Sequence, residues 1–254
     1  MEFSDSNYFL IKIKNISLKL MKKLLTVLLI LITAASFGQH KAFQLGFKGG
    51  LGLGWFATDA TGYKGEGTDF VGSWGFTADV YIMENYSFTT GFDMIYLNST
   101  ISFPDQIPRE IPDNFTGDTI FGISNVKYKA KYIEIPLVLT MRTNKIGKLS
   151  YYGQVGFGMG ILVSAKADKD FVANESSFTD SETVNAYKEL AQTRQSLIIG
   201  LGAEIPIQGS TYIRTGLKFD NAFANILKGY NNTDPYLKNN GRNSFIEINL
   251  SVFF

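Results

Sequence analysis

Two-residue alternation of apolar side chains with small or polar ones is the feature that most constrains the fold of this chain. The segment FQLGFKGGLGLGW, residues 43–55, places Phe, Leu and Trp on one parity and Gly, Gln and Lys on the other. Successive side chains of a β-strand point to opposite faces, so a strand is the regular element with this period. The segment is therefore predicted to be a strand with one apolar face.

The same alternation recurs along the rest of the chain, and eight strands are predicted in all. They lie within residues 43–55, 73–82, 86–96, 132–142, 151–163, 196–205, 212–220 and 246–254. The short connections are residues 83–85, 143–149 and 208–210. The long, polar connections are residues 56–70, 98–126, 166–192 and 221–242. Short turns at one end and long loops at the other are typical of a transmembrane barrel, although a hairpin hidden in the second or third long connection would make ten strands.

A barrel in water and a barrel in a membrane differ in which face is apolar. A soluble eight-stranded barrel such as a lipocalin points its apolar face inward. Here the apolar faces carry almost no charge over about nine residues, the strand length that crosses a bilayer. The opposite faces carry glycine, hydroxyl and charged side chains, which suit a tight eight-stranded interior. We therefore predict an all-β fold, a closed antiparallel eight-stranded transmembrane β-barrel of outer-membrane type, with short periplasmic turns and four long extracellular loops.

Aromatic side chains fall where such a barrel has its interfacial girdles. Trp55 and Trp74 lie at the loop ends of apolar faces, and Tyr86 and Tyr151 follow short turns. Trp and Tyr are enriched at both membrane–water interfaces. All four share the outward parity, so we interpret them as interfacial aromatics.

The N-terminal region predicts export. Residues 21–38 combine two lysines, an apolar run and small residues up to Gly38, the layout of a secretory signal peptide. The apolar run is far shorter than the roughly 20 residues of a membrane-spanning helix. We expect cleavage after Gly38, which leaves residues 39–254 as the barrel domain. We also expect translation to start at Met21, so that residues 1–20 are an extension produced by a mis-assigned start codon.

The C-terminus predicts assembly into the outer membrane. The last strand ends with Leu250, Val252 and Phe254 on its outward face. This pattern is similar to the C-terminal signal by which the barrel-assembly machinery recognises its substrates. The barrel-assembly machinery is therefore an expected partner during biogenesis.

Composition argues against most kinds of chemistry. The formal net charge is +1, which argues against a nucleic-acid partner because phosphates require a basic surface. The chain has no cysteine, which removes disulfides and thiolate nucleophiles. Its one histidine, His40, lies beside the predicted cleavage point, so no histidine base is available inside the barrel. We predict no enzymatic activity, no cofactor and no bound metal.

Charged side chains on the inward parity are the candidate site. They are Lys48, Asp79, Asp93, Glu134, Glu204, Arg214, Lys218 and Glu247. Buried charges require partners, so we expect a polar network in the lumen. A turn centred on Gly209 places Glu204 opposite Arg214 and predicts a charge-assisted pair. Closure of the last strand on the first predicts Lys48 near Glu247.

The segment YIEIPLVLT, residues 132–140, contains two side chains that a sheet interior disfavours. Glu134 carries a charge and Pro136 lacks a backbone hydrogen-bond donor, and both fall on the inward parity. Basic lumen side chains can pair with Glu134. A closed barrel has no edge strand, so Pro136 predicts a local bulge or one missing ladder bond.

The chain resembles the PorT-like family of outer-membrane β-barrel proteins found in Gram-negative bacteria. The likeness covers roughly the whole predicted mature chain, and it is most distinctive at Glu134-Ile135-Pro136. The segments that carry it are YIEIPLVL (132–139), YYGQVGFGMGILV (151–163), IIGLGAEIPI (198–207), TYIRTGLKF (211–219) and FIEINLSVFF (245–254). The founding member is linked to a protein secretion system, so the resemblance implies secretion-complex subunits as partners.

Three functions are compatible with this sequence. The first is a small barrel with a side-chain-filled lumen, acting as a structural or interaction protein at the cell surface. The second is a narrow transport channel or solute-binding barrel, and the third is a component of a secretion or assembly complex. Outer-membrane lipid is an expected partner. Lys127, Lys129 and Lys131 either meet lipopolysaccharide phosphates at the outer rim or form a solvated strand extension.

Overall fold

The computed structural model describes residues 43–108, 119–174 and 178–254. The predicted extension, signal peptide and cleavage point, together with His40, lie outside the described residues. The strands are β1 Phe43–Ala57, β2 Lys64–Gly65, β3 Asp69–Met83, β4 Tyr86–Pro108, β5 Thr119–Arg142, β6 Ser150–Ala173, β7 Thr179–Asn185, β8 Thr193–Pro206, β9 Tyr212–Ala222 and β10 Arg242–Phe253. No helix in the described ranges is long and apolar enough to cross a membrane.

Eight of these strands form a closed ring. Their order is β1, β3, β4, β5, β6, β8, β9, β10, and β10 pairs back to β1. Consecutive strands pair antiparallel, as short hairpin connections require. The short strands β2 and β7 pair only with β4 and β6 and stay outside the ring. The predicted eight-stranded antiparallel barrel is confirmed, and the ring does not contain ten strands.

The outward face of the ring is a continuous apolar belt. Leu51, Leu201 and Ile248, on three different strands, are 62%, 60% and 65% exposed. Exposed apolar surface on this scale is typical of the lipid-facing band of a membrane barrel. The four predicted interfacial aromatics lie on this outward face: Trp55, Trp74, Tyr86 and Tyr151.

Two of the predicted long loops are wrong. Most of residues 98–126 is a paired hairpin, because β4 runs on to Pro108 and β5 begins at Thr119. Residues 166–192 likewise contain the end of β6 and the whole of β7, which folds back on it. The ends of β4, β5 and β6 therefore project past the apolar belt, where β2 and β7 pair with them to make a five-stranded sheet.

These strands were missed because the apolar and polar faces exchange sides beyond the belt. On β5 the inward residues Val126, Tyr128 and Ala130 are buried and apolar, whereas the outward residues between them are Lys127 and Lys129. Within the apolar belt itself the arrangement is the opposite, with polar side chains facing inward and apolar side chains facing outward. Water replaces lipid outside the projecting sheet, so a polar outward face is favoured there. The segment still alternates every two residues, but its outward side chains are polar, unlike those of a lipid-facing strand.

Pro136 lies at a gap in the ladder between β4 and β5. Pairing with β4 stops at Val138 and resumes at Glu134 in the same register. By that register Gly91 is directly opposite Pro136, and Gly91 has a φ of 153°. The proline nitrogen has no hydrogen to donate, which accounts for the interruption. The predicted defect is present as a missing stretch of ladder and not as a bulge.

The position of Gly91 leads to a stability prediction. A Cβ atom at residue 91 would lie 2.0 Å from the carbonyl oxygen of Phe76. Gly91→Ala is therefore expected to lower the free energy of unfolding by about 1–3 kcal/mol, measured by urea titration of the refolded barrel in detergent. Gly153→Ala is the matched control, because a Cβ there meets nothing within 4 Å. An equal effect in both variants would contradict the close approach at Gly91.

Candidate functional site: the charged barrel interior

Two groups of charged side chains fill the barrel interior, one above the other. The turn-side cluster lies near the short connections and consists of Asp79, Arg142, Glu204 and Arg214. The central cluster lies nearer the loop end and consists of Lys48, Asp93, Glu134, Arg194, Lys218, Asp220 and Glu247. Each side chain reaches the lumen because it occupies the inward parity of its strand.

In the turn-side cluster each arginine contacts both carboxylates. Arg214 Nη2 donates to Asp79 Oδ2 at 2.5 Å and to Glu204 Oε1 at 2.7 Å. Arg142 Nε donates to Glu204 Oε1 at 2.9 Å, and the Arg142 guanidinium also pairs with Asp79. Glu204 and Arg214 are directly opposite in the β8–β9 register, as the turn at Gly209 predicts. Two acids and two arginines make this cluster electrically neutral.

Aromatic rings enclose the guanidinium of Arg214. Its Cζ lies 4.4 Å from the ring centroid of Phe253 and 5.2 Å from that of Tyr152. Tyr212 stacks on Phe253 with the ring centroids 4.6 Å apart. Aromatic faces attract cations, so these rings hold Arg214 while they close the turn end of the lumen.

In the central cluster Arg194 binds two carboxylates from different strands. Arg194 Nη1 donates to Glu134 Oε2 at 3.0 Å, and Arg194 Nη2 donates to Asp220 Oδ1 at 2.6 Å. The ammonium of Lys218 lies 3.3 Å from Glu247 Oε1 and 3.9 Å from Glu134 Oε1. These cations link strands β5, β8, β9 and β10 across the lumen.

Inward glycines make room for two of the carboxylates. A Cβ at Gly158 would lie 2.8 Å from the carboxyl carbon of Glu134, and a Cβ at Gly50 would lie 2.9 Å from that of Glu247. Both distances are shorter than real Cβ contacts. The glycines on the inward parity therefore have a packing role beside the charged side chains.

An apolar cap closes the loop end of the lumen. Its buried side chains come from β1, β4, β5 and β10 and from the connections before β8 and β10. They include Phe56, Ile95, Leu97, Ile101, Val126, Tyr128, Tyr132, Leu190, Ile226, Leu227 and Phe245. Between the two charged clusters there is a cavity of about 30 Å³, lined among others by Thr89, Gln154 and Ser251. That volume holds about two water molecules.

The eight predicted lumen residues lie on the inward faces of their strands, but the register of the ring does not place Lys48 opposite Glu247. Lys48 lies opposite Ser251 in the register of β1 and β10, and its ammonium pairs with Asp93. Glu247 instead lies directly opposite Lys218. The error arose because the first and last strands are joined by no turn that fixes their register.

Three charged residues of the clusters were missed. Arg142 and Asp220 share the inward parity of their predicted strands, so the parity rule could have included them. Arg194 lies two residues before the predicted start of its strand, on the same parity as the inward Ser196. Starting each predicted strand two residues earlier would have included it.

A closed ring with an apolar outer belt and a charged, filled interior defines the class of outer-membrane β-barrels. The chain matches the family model of the outer membrane protein beta-barrel domain over residues 35–228, and it belongs to that family. The protein is therefore located in the outer membrane.

Several solved outer-membrane proteins are similar to this chain at low identity. Neisserial surface protein A is 10% identical, with a TM-score of 0.40, and the match covers 82% of this chain and 96% of that one. OprG from Pseudomonas aeruginosa is 12% identical, with a TM-score of 0.41 and coverage of 85% and 97%. Ail from Yersinia pestis is 12% identical, with a TM-score of 0.37 and coverage of 84% and 99%. No curated protein matches the chain.

The turn-side cluster leads to a second stability prediction. Arg214→Met leaves Asp79 and Glu204 one buried cation short, so it is expected to lower the free energy of unfolding by about 3–5 kcal/mol. Arg242→Met is the control, because Arg242 pairs with exposed Asp59 at the loop end. That exposed pair is expected to contribute less than about 1 kcal/mol. Both values come from urea titrations of refolded protein, and similar losses would argue against a buried network.

Proposed function

We propose that this protein is a closed outer-membrane barrel that presents its projecting sheet for interaction at the cell surface. In this proposal it neither conducts solutes nor catalyses a reaction. The observation that carries the proposal is the filled interior. The turn-side cluster, the central cluster and the apolar cap follow one another along the lumen, and the cavity between the charged clusters is about 30 Å³.

An apolar patch on the projecting sheet supports the interaction role. Phe121, Ile123 and Val172, here called the tip patch, are 55%, 47% and 46% exposed on the outward face. Ile123 and Val172 are direct neighbours in the β5–β6 register. Polar outward residues from Asn125 to Lys131 separate the patch from the apolar belt, so the patch faces water and not lipid. Exposed apolar patches rimmed by polar residues are typical of protein-binding surfaces.

The PorT-like resemblance suggests what kind of protein that surface meets. We propose a subunit of a secretion or assembly complex as the partner of the tip patch. During biogenesis the barrel-assembly machinery is a separate proposed partner, acting at β10. Leu250, Val252 and Phe254 lie on the outward parity there, and the Phe254 N–H donates to the Leu45 carbonyl at 2.9 Å.

The lysines above the belt differ in their availability to lipid phosphates. Lys127 pairs with Asp69, and Lys129 pairs with Asp168. Hydrogen bonds from Lys129 and Thr183 lower the pKa of Asp168. Lys131 instead lies over the ring of Tyr96, 5.2 Å from its centroid. We propose Lys131, at the edge of the belt, as the contact for lipopolysaccharide phosphates.

Conductance in planar bilayers tests the closed interior. The reconstituted protein is expected to give no steady single-channel current, because ion-paired side chains and the apolar cap obstruct the lumen. An open porin added later to the same bilayer serves as the positive control, and heat-modifiable gel mobility checks that the barrel is folded. A steady ohmic current would favour the narrow-channel alternative.

Photo-crosslinking in intact cells tests the tip patch. A photoreactive side chain replacing Ile123 is expected to crosslink to one discrete protein, and the same group replacing outward Ser181 on β7 serves as the control. Adding Phe121→Ser and Val172→Ser is expected to abolish the Ile123 crosslink without changing heat-modifiable mobility. A crosslink that survives both substitutions would contradict the interaction role. So would the absence of any crosslinked product with the photoreactive group at either position.

A further inference from the structure

The central cluster carries one more negative charge than positive charge. Its carboxylates are Asp93, Glu134, Asp220 and Glu247, and its cations are Lys48, Arg194 and Lys218. The four carboxylate side chains are at most 1% exposed. The turn-side cluster is balanced and cannot supply the missing charge. Among the described residues, the lumen therefore has six buried carboxylates and five cations.

The distances identify which carboxylate lacks a cation of its own. Lys48 pairs with Asp93, Lys218 is directly opposite Glu247, and Arg194 makes its shortest ion pair with Asp220. These three pairs use every cation of the cluster. The remaining carboxylate contacts only cations that are already paired with another carboxylate.

That remaining carboxylate is Glu134. It shares Arg194 at 3.0 Å and Lys218 at 3.9 Å with other carboxylates. Its Oε1 accepts no hydrogen bond from any described residue, as is also true of one oxygen each of Asp93, Asp220 and Glu247, so the ion-pair distances are what single out Glu134. Each of the eight ring strands contributes to the space around Glu134. The side chains facing this space from those strands are Lys48, Ser73, Asp93, Tyr132, Arg194, Ser196, Lys218, Asp220 and Glu247, with Gly158 on β6. None adds a positive charge to those already assigned.

An uncompensated charge in a narrow interior with room for only about two water molecules is strongly unfavourable. We propose that Glu134 holds a proton in the folded barrel at neutral pH, which makes the central cluster a buried proton-binding site. The proton comes from solvent during folding and forms an O–H bond on the carboxyl group of Glu134. A metal ion fits less well, because no group of three or more acidic or histidine side chains in the described ranges is placed to hold one. With the proton bound, the central cluster is neutral.

This site has a thermodynamic consequence. In the unfolded chain Glu134 has an ordinary glutamate pKa near 4.3 and is ionised at neutral pH. The folded state then binds one more proton than the unfolded state, so stability falls as pH rises. The unfolding equilibrium constant is expected to increase about tenfold per pH unit between about pH 5.5 and pH 7.

Urea titrations of the refolded barrel at several pH values test this proposal. Glu134→Gln keeps the size of the side chain and needs no proton, so this variant is expected to lose the tenfold dependence on pH. It should equal or exceed the wild type in stability at pH 8. Glu204→Gln is the matched control, since it leaves the balanced turn-side cluster one carboxylate short and is expected to destabilise at every pH while keeping the tenfold dependence.

Two results would overturn the proposal. One is a loss of stability in Glu134→Gln as large as that in Glu204→Gln, which would mean that Glu134 is ionised and paired. The other is a wild-type stability that follows sodium concentration at fixed pH, compared with choline, which would assign the missing charge to a metal cation. A wild-type slope no steeper than that of Glu134→Gln would also contradict it.

A measurement on the wild type covers the case in which Glu134→Gln does not fold. Infrared spectra of the folded barrel at pH 7 are expected to contain the carbonyl band of a protonated carboxylic acid. That band should be absent from the urea-unfolded chain at the same pH. A folded protein without the band would overturn the proton site by itself.

Discussion

Neutralising buried charge is the constraint on which the rest of this structure depends. A small barrel must turn half of its side chains inward, and lipid outside forces polar side chains onto that inward face. An eight-stranded ring is too narrow to hydrate them, so each charge must find a partner across the lumen. The clusters around Arg214 and Arg194 meet this requirement with arginines that each bind two carboxylates. Closure of the interior then follows from the same contacts that hold the strands together.

The surroundings of each strand change along its length, and the residue pattern changes with them. On β5, Glu134 faces inward where Ile133 and Ile135 face lipid. A few residues further toward the loop end, Tyr128 faces inward and Lys129 faces out. One continuous strand thus serves as a membrane strand at one end and as a strand of a water-exposed sheet at the other. The apolar cap forms at the change between the two, and it closes the lumen above the charged clusters.

Much of the barrel could be predicted from the sequence because the two-residue period is local and strong. Strand parity identified eight of the eleven charged side chains in the two clusters, and the turn at Gly209 set the pairing of Glu204 with Arg214. The partner of Lys48 could not be predicted, because the register between β1 and β10 depends on closure of the whole ring. The projecting hairpin was missed since its outward face is polar, which is also how a loop looks in a sequence. Pro136 identified the ladder defect, but only the structure placed Gly91 opposite it.

Solvent access to the lumen tests the central claim of a closed, charge-compensated interior most directly. The chain has no cysteine, so single cysteines can be introduced without background. Ser196 and Ser251 are buried in the lumen, whereas Ser181 is exposed on β7. In the folded barrel, Ser181→Cys is expected to react rapidly with a charged, water-soluble thiol reagent, while Ser196→Cys and Ser251→Cys react only after unfolding. Rapid reaction at the two lumen positions in the folded state would contradict the closed interior.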